Sequence, residues 1–425
     1  LIPALMSISL FNVTVVNAAV QTNFTFEQLA KQAFLQNLGL KIEVEQKNAQ
    51  HANEQAAFRK LLPLGSMSSG RSETLHNNTD EQQELTLYSS SITLSQAVYQ
   101  PALWATWKKS ALQNNRAEYN VQIKQQSLLF ELKKAWVSVL EEQVLYNETQ
   151  ASLLRLRQHQ KNAEAFYRNG DIWRNDVLQA KVRVARGEQD VFAANNRLAL
   201  AKTSINLILN RDITLELQPV GQLVSRPFTK PLGELFKQAK VNRLELKQGQ
   251  VDIRLANQDI ALADAKLKPS VNFSLASSIS SEHFGYQRNT TETVASLTLG
   301  WNFWQWGQTN REVAAASAKV KVKRLTLAQL KAAVMAEVQS AYLTVKESQS
   351  SFKVSEKALV QAKENFKVSQ IRYREQLSSA SDVLDAQDLL TQTRNSRVSA
   401  LARYLTAIAQ LNLAIGDKVI KQALN

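Results

Sequence analysis

One segment of this chain occurs twice, and the second copy follows the first at a constant distance along the sequence. Tyr167 and Asp176 of the first copy correspond to Tyr373 and Asp382 of the second, and both pairs are 206 positions apart. The same distance relates further matched positions: residues 135–139 with 341–345, 205–207 with 411–413, and Pro63 with Pro269. A register held over that length indicates an internal duplication. The fold must therefore contain two similar halves, each with two helices joined by a tight turn.

Two long stretches contain neither glycine nor proline, residues 102–169 and residues 308–415. A continuous helix over the first stretch would be about 100 Å long, which suits a coiled coil or a helical tube rather than a compact domain. Gly170 ends that stretch, and the turn of the second copy is expected near residues 376–381. Apolar residues step along the first stretch by three and four, as a packed seam requires: Leu129, Leu132, Trp136 and Val139.

Short segments of alternating apolar and polar residues lie between the helical stretches. Val271, Phe273 and Leu275 alternate with polar residues, and residues 296–303 show the same pattern. Such alternation predicts a strand with one face in lipid and the other facing water. Aromatic residues typical of a membrane interface cluster where these segments meet the helices: Trp301, Trp304, Trp306, Tyr99, Trp104 and Trp107. An ordinary half-buried strand with core tryptophans is the alternative.

The number of strands limits how such a chain could sit in a membrane. About four strands are predicted per chain, too few to close a barrel. An open sheet edge in lipid would leave backbone groups without hydrogen bonds. An oligomer that pools strands removes these edges, so we expect a homo-oligomer.

The charge balance and the residue types argue against several classes of protein. The net charge is +14, which could indicate a nucleic-acid or anionic membrane surface. Lys and Arg alternate with Glu and Asp along the helical stretches, however, and this pattern favours solvated helix faces, with no nucleic-acid partner. The absence of cysteine excludes a disulfide framework and a lipidated N-terminal cysteine. The four histidines are scattered, and no phosphate loop or serine elbow is present, so we expect no cofactor, no metal and no enzymatic activity.

The composition along the chain predicts five regions. Residues 1–19 are apolar and end in small residues, like the remnant of a signal peptide. Residues 20–210 form the first repeat, with a helix over 24–62, two strands and a long helical hairpin. Residues 211–231 hold three of the seven prolines and are expected to form a linker. Residues 232–416 form the second repeat, and residues 417–425 a short tail. No stretch is predicted to form a transmembrane helix.

Three groups of residues, in this order and partly duplicated, resemble the TolC-like outer-membrane efflux proteins. They are residues 267–271 at a helix-to-strand turn, Tyr373 through residues 382–386, and residues 407–416. The resemblance implies an α+β membrane protein with an internal duplication. Three chains would each give four strands to one twelve-stranded outer-membrane β-barrel. This barrel would continue into a long periplasmic α-helical barrel, with the linker as an equatorial belt.

The resemblance also implies a function and partners. The protein would be an exit duct in the cell outer membrane, in contact with its lipid and with a large periplasmic part. It would dock with a periplasmic adaptor and an inner-membrane transporter, for multidrug efflux or type I protein secretion. The alternative function is a soluble or surface coiled-coil scaffold with a basic binding face.

Candidate site residues lie beside the duplicated turns. Asp382 and Asp385 are three residues apart and share one helix face. The resemblance implies that they form a ring of carboxylates at a closed periplasmic gate, whereas spacing alone would also fit a solvated face. Tyr373 and Asp176 match a pair whose hydrogen bond holds the gate shut. Ser378 stands where some relatives have an arginine, so an ionic gate contact there is not predicted.

Overall fold

Four long helices dominate the computed structural model, which describes residues 23–73, 86–286, 288–375 and 377–417. They are α3 (Pro101–Asn169), α4 (Arg174–Ile208), α7 (Gln308–Arg374) and α8 (Ala380–Ala414). The predicted hairpins are thus confirmed to within a few residues, and α3 at 69 residues spans roughly 100 Å. Within the described ranges, no helix combines the length and the apolar character needed to cross a membrane. The expected signal segment, and the tail beyond Asp417, lie outside the described residues.

Each long hairpin is preceded by two short helices where the sequence predicts one. The first repeat has α1 (Phe26–Gln36) and α2 (Leu38–Arg59), and the second has α5 (Leu232–Asn242) and α6 (Leu244–Asp264). The single helix predicted over residues 24–62 is therefore wrong, and the second repeat is broken at the equivalent position. One residue in the extended conformation, Asn37 or Arg243, separates the two helices of each pair. Each of these side chains bonds a carbonyl at the end of the returning helix, so tertiary contacts set the break.

The strands form a four-stranded antiparallel sheet. Its order is β2 (Leu64–Glu73), β3 (Thr86–Tyr99), β5 (Ser270–Ser281) and β6 (Thr290–Gly300). Four strands were predicted, but β6 ends at Gly300, whereas the alternating pattern continued to residue 303. β2 and β6 are the edges of the sheet, and each pairs on one side only within the described chain.

The two faces of the sheet differ in chemistry. Residues paired in register lie on the same face. One face carries large apolar side chains, in the pairs Met67–Ile92, Leu94–Leu275, Phe273–Leu297 and Val271–Leu299. The other face carries small polar ones, such as Ser68 bonded to Ser91 at 2.8 Å and Ser274 bonded to Ser296 at 2.7 Å. Many of the apolar side chains are exposed, including Met67 and Ile92.

The element order of the first repeat recurs in the second, which confirms the duplication. The helices α4 and α8 both contain 35 residues, and the same turn follows each. Asn210 and Gly416 both have positive φ, 50° and 67°. In both turns the next amide donates to a carbonyl five residues back, from Arg211 to Asn206 and from Asp417 to Asn412, each at 2.9 Å.

The linker packs across both repeats. Within it, β4 (Gln218–Pro219) pairs with β1 (Asn23–Phe24) in parallel. Leu223 packs against both large hydrophobic clusters, one from each repeat. In the cluster of the first repeat, the predicted seam residues Leu132, Trp136 and Val139 are buried, and Leu129 is partly buried against them. The predicted seam is thus confirmed.

Candidate functional site

Asp382 stabilises the start of α8. Ser379 precedes this helix, and its hydroxyl accepts a hydrogen bond from the Asp382 amide at 3.2 Å. The Asp382 carboxylate in turn accepts from the Ser379 amide at 2.9 Å. This reciprocal arrangement is a capping box, and a carboxylate is also favoured by the helix dipole there. Asp382 therefore has a structural role that would be needed with or without a gate.

Asp382 and Asp385 lie on one exposed face of α8. The opposite face of the helix is buried and carries Val383, Leu384 and Ala386. The side chain of Asp385 is 67% exposed. Burial of the apolar residues fixes the rotation of the helix, so both carboxylates must point away from the packed interior of the chain.

Arg183 joins the returning helices of the two hairpins. Its guanidinium donates to Asp385 at 3.3 Å and to Asp388. We call this contact the Arg183 bridge. The sequence analysis found neither Arg183 nor Asp388. Asp388 lies three residues beyond Asp385 on the same helix, which is a usable signal. Arg183 offers no such signal, because it lies on another hairpin.

Further contacts tie α3 to α8 closer to the linker. Arg394 donates to Glu148 at 2.8 Å, and the Ser152 and Thr391 hydroxyls are 3.3 Å apart. These bonds, together with the Arg183 bridge, fix the two hairpins side by side. We call the far end, where α3 is followed by α4 and α7 by α8, the tip.

Tyr373 packs as an aromatic side chain at the tip. Its ring centroid is 5.7 Å from that of His159 and 6.1 Å from that of Phe166, both on α3. Burial raises the pKa of Tyr373, and the negative charge of Asp176 raises it further. Asp176 is thus nearby, but the expected hydrogen bond is not formed. The Tyr373 hydroxyl is buried with no hydrogen-bond partner in the described chain, because the ring is held against α3.

His159 is the other polar group in this contact. It is only 9% exposed, and its Nε2 has no hydrogen-bond partner among the described residues. Burial lowers the pKa of the imidazole, since nothing nearby compensates the charged form. The tip is therefore packed around a neutral histidine.

The aromatic residues expected at a membrane interface gather at the opposite end of the hairpins, beside the sheet. Trp306 is 89% exposed, and its ring meets Trp304 edge-on at 5.5 Å. Trp301 is also exposed, and its Nε1 donates to the Leu267 carbonyl at 2.9 Å. Tyr99 and Trp104 are about half exposed where β3 passes into α3. The register pairs Tyr99 and Leu299 with the same residue of β5, so these aromatics share one level.

The chain is similar to a known protein family and to several known proteins. Residues 235–417 match the family model described as outer membrane efflux protein. The outer membrane protein TolC of Escherichia coli is 23% identical over 440 residues, covering 97% of this chain and 85% of the relative. Nodulation protein T of Rhizobium leguminosarum is 22% identical over 273 residues, covering 63% of this chain and 58% of the relative.

The chain thus resembles the TolC-like outer-membrane efflux proteins. Solved structures share the fold. The Campylobacter jejuni CmeC outer membrane channel matches with a TM-score of 0.79 at 15% identity, covering 94% of this chain and 89% of that one. The Neisseria gonorrhoeae MtrE channel matches with a TM-score of 0.78 at 16% identity, covering 92% and 88%.

These similarities bear on the class of the protein and on its location. They support an efflux channel of the outer membrane with a large periplasmic helical part, and the solved structures that match are outer-membrane channels. The alternative prediction of a soluble or surface scaffold is set aside by these similarities. Over the described ranges, no group of three or more His, Asp or Glu side chains is arranged to hold a metal ion.

Proposed function

We propose that this TolC-like protein is the exit duct of a tripartite export system. It would act as a homotrimer that docks with a periplasmic adaptor and an inner-membrane transporter. One observation carries the proposal. The chain presents a four-stranded sheet with one apolar face, one small polar face and two open edges, mounted on helical hairpins about 100 Å long.

The two open edges of the sheet indicate that strands from several copies of the chain form one common sheet. Half of the backbone groups of β2 and β6 have no partner within the chain's own sheet. Lipid offers no replacement for these hydrogen bonds, so the edges must pair with other copies. The strands β2 and β6 run in opposite directions, and therefore β2 of one copy fits β6 of the next as an antiparallel pair. Three copies would give twelve strands.

The long helices α4 and α7 each carry a row of exposed apolar side chains. On α4 these are Leu178, Val182, Phe192, Leu200 and Leu207, and on α7 they are Val322, Leu325, Leu343, Val354 and Val360. Exposed rows of this length on a single chain mark an interaction surface. In a trimer, α4 of one copy packed against α7 of its neighbour would cover both rows.

We infer that Asp382 and Asp385 form the periplasmic gate. Three copies would place six carboxylates around one axis, a charge density that attracts multivalent cations. Repulsion between them favours opening, so the closed state needs other contacts to hold it. The Arg183 bridge is suited to this role, because it pairs with Asp385 and ties α8 to the hairpin of α3 and α4.

The polar face of the sheet is consistent with a duct that does not select by charge. The residues along it are small and mostly uncharged, for example Ser89, Ser91, Thr93 and Ser274. In this proposal the transporter chooses the cargo, drugs or proteins. Deletion of the neighbouring transporter gene, followed by assays of drug sensitivity and of secreted protein, distinguishes the two.

The gate is tested in planar bilayers with La³⁺ added on the periplasmic side. Asp382→Asn with Asp385→Asn should raise the half-blocking concentration about tenfold or more, because each lost charge removes roughly 1 kcal/mol of attraction. Asparagine can still cap α8. Asp171→Asn, in the other turn, is the matched control and should leave block unchanged. Equal block in the double variant and the wild type would show that the carboxylates are only a solvated face.

A further inference from the structure

Part of the linker forms a strap over the space between α3 and α8. The strap comprises residues 221–226 and is fixed at both ends. At one end Gly221 lies on Trp136, so close that a Cβ there would be 3.1 Å from the indole ring. At the other end the Arg226 carbonyl accepts a hydrogen bond from the Tyr404 hydroxyl at 2.7 Å. Between these anchors the strap spans the gap without filling it.

A cavity of about 400 Å³ lies beneath the strap. Most of its walls are apolar, with Leu129, Phe130 and Trp136 from α3, Val224 from the strap, and Leu405 and Ile408 from α8. Two charged residues besides Lys133 also line it, Arg226 and Asp417. A volume of this size falls in the range of small-molecule sites, roughly 300–1,000 Å³. All of the walls come from one chain, so the cavity exists without a neighbouring copy.

Lys133 brings a positive charge into this apolar cavity. Its ammonium lies 4.3 Å from the centre of the Phe26 ring, and no ion pair or hydrogen bond to it occurs within the described ranges. Two other cations of α3 are paired, Lys109 with Asp259 at 2.6 Å and Arg116 with Asp252 at 2.7 Å. Burial lowers the pKa of Lys133, and no carboxylate opposes this shift. The lysine therefore bears a desolvation cost without an anionic partner.

We propose that this cavity is a binding site for an apolar monoanion, such as a medium-chain carboxylate. The carboxylate would pair with Lys133, and the hydrocarbon would lie between Trp136 and the strap. An anion offsets the cost of the half-buried ammonium, and the apolar walls favour a chain without further polar groups. The site is separate from the duct and from the gate, so it does not depend on the proposed transport function. A ligand there would hold the linker to both repeats.

The position of Trp136 allows a direct test. Bromine quenches tryptophan fluorescence on contact, so dodecanoate brominated on its chain is the probe. The full chain is held in lipid nanodiscs, and the same titration on Trp136→Phe gives the background from the other tryptophans. We expect a saturable quench that is lost in Trp136→Phe. If the two titrations coincide, the cavity is not occupied and the proposal is overturned.

The role of the charge is tested with a matched pair of variants. Lys133→Met should weaken binding of the bromododecanoate about tenfold or more, which is the value of one charge-assisted contact. Lys133→Arg should retain binding, and Lys134→Met should also retain it, because Lys134 lines no part of this cavity. Brominated dodecanol, which is neutral, should bind wild type and Lys133→Met equally. Equal affinity of the acid for wild type and Lys133→Met would overturn the proposal.

A variant that fills the cavity while the protein stays folded separates loss of binding from loss of the fold. Val224 is exposed on one side, and Val224→Trp should occupy the cavity without disturbing the buried core. Because the new tryptophan also fluoresces, the quench is read as the difference between this variant and Val224→Trp combined with Trp136→Phe. We expect that difference to vanish while the helical circular dichroism stays at the wild-type value. A quench that persists in this folded variant would place the probe elsewhere and contradict the proposal.

Discussion

Asn37 and Arg243 perform the same task at equivalent positions with different chemistry. Asn37 donates to the Ile208 carbonyl at 2.9 Å, and Arg243 donates to the Ala414 carbonyl at 3.2 Å. The last carbonyls of a helix have no partner within the helix, so each side chain satisfies one of them. Arg243 additionally makes two bonds to Glu337, at 3.1 and 2.8 Å.

This difference predicts unequal costs of substitution. Arg243→Met should lower the free energy of unfolding by about 2 kcal/mol or more, because it removes the bonds to the Ala414 carbonyl and to Glu337. The Asn37 side chain also caps α2, since its oxygen accepts a hydrogen bond from the Leu40 amide at 2.9 Å. Asn37→Ala should cost about 1 kcal/mol, the usual value of an N-cap. Thermal unfolding followed by circular dichroism compares the two. An Asn37→Ala variant that melts as early as Arg243→Met would contradict this reading of the two positions.

His159 predicts how the stability of the tip depends on pH. Its pKa is lowered in the folded state, so the folded chain binds fewer protons than the unfolded chain in mildly acidic solution. The contribution of the neutral His159 to the free energy of unfolding is therefore fully present above the ordinary histidine pKa of about 6.5. It falls as the pH drops through and below that value. His159→Phe should keep the ring packing and remove this component. Melting at pH 7.5 and 5.0 tests it, and an equal acid-induced loss in the variant would rule out His159 as the cause.

At the scale of elements, the Arg183 bridge is the contact between hairpins that is most open to test. An exposed ion pair is worth up to about 1 kcal/mol, which changes an open-to-closed ratio about fivefold. Arg183→Ala should raise the open fraction of single channels by at least that factor, since three copies act together. Arg186→Ala, three residues along α4, is the control. If both variants conduct alike, the bridge does not hold the closed state.

The elements also show what the sequence could and could not predict. The long hairpins were predictable because glycine and proline act locally, and Gly170 takes the left-handed conformation that its turn requires. The breaks at Asn37 and Arg243 were not, because distant carbonyls set them. The partners of Asp385 were missed for the same reason. Tyr373 was placed at the right end of the right helix, but its hydroxyl could not be assigned without knowing how α3 packs.

The whole molecule depends on whether its sheet is completed by other copies. Everything proposed about the duct requires that β2 of one copy pairs with β6 of the next. Within one chain these edges are three strand spacings apart, about 14 Å, which is too far for a disulfide. The sequence contains no cysteine, so any introduced pair is unambiguous.

The most direct test is therefore an edge-to-edge disulfide. Ser68→Cys in β2 is combined in turn with Glu292→Cys, Val294→Cys or Ser296→Cys in β6, all on the polar face of the sheet. After oxidation in intact outer membranes, denaturing electrophoresis should show a covalent trimer as the largest product for at least one pair, because a closed ring of three leaves no free edge. Single-cysteine variants should show no trimer. Monomers for every pair, or a ladder that continues beyond three chains, would contradict the closed trimeric duct.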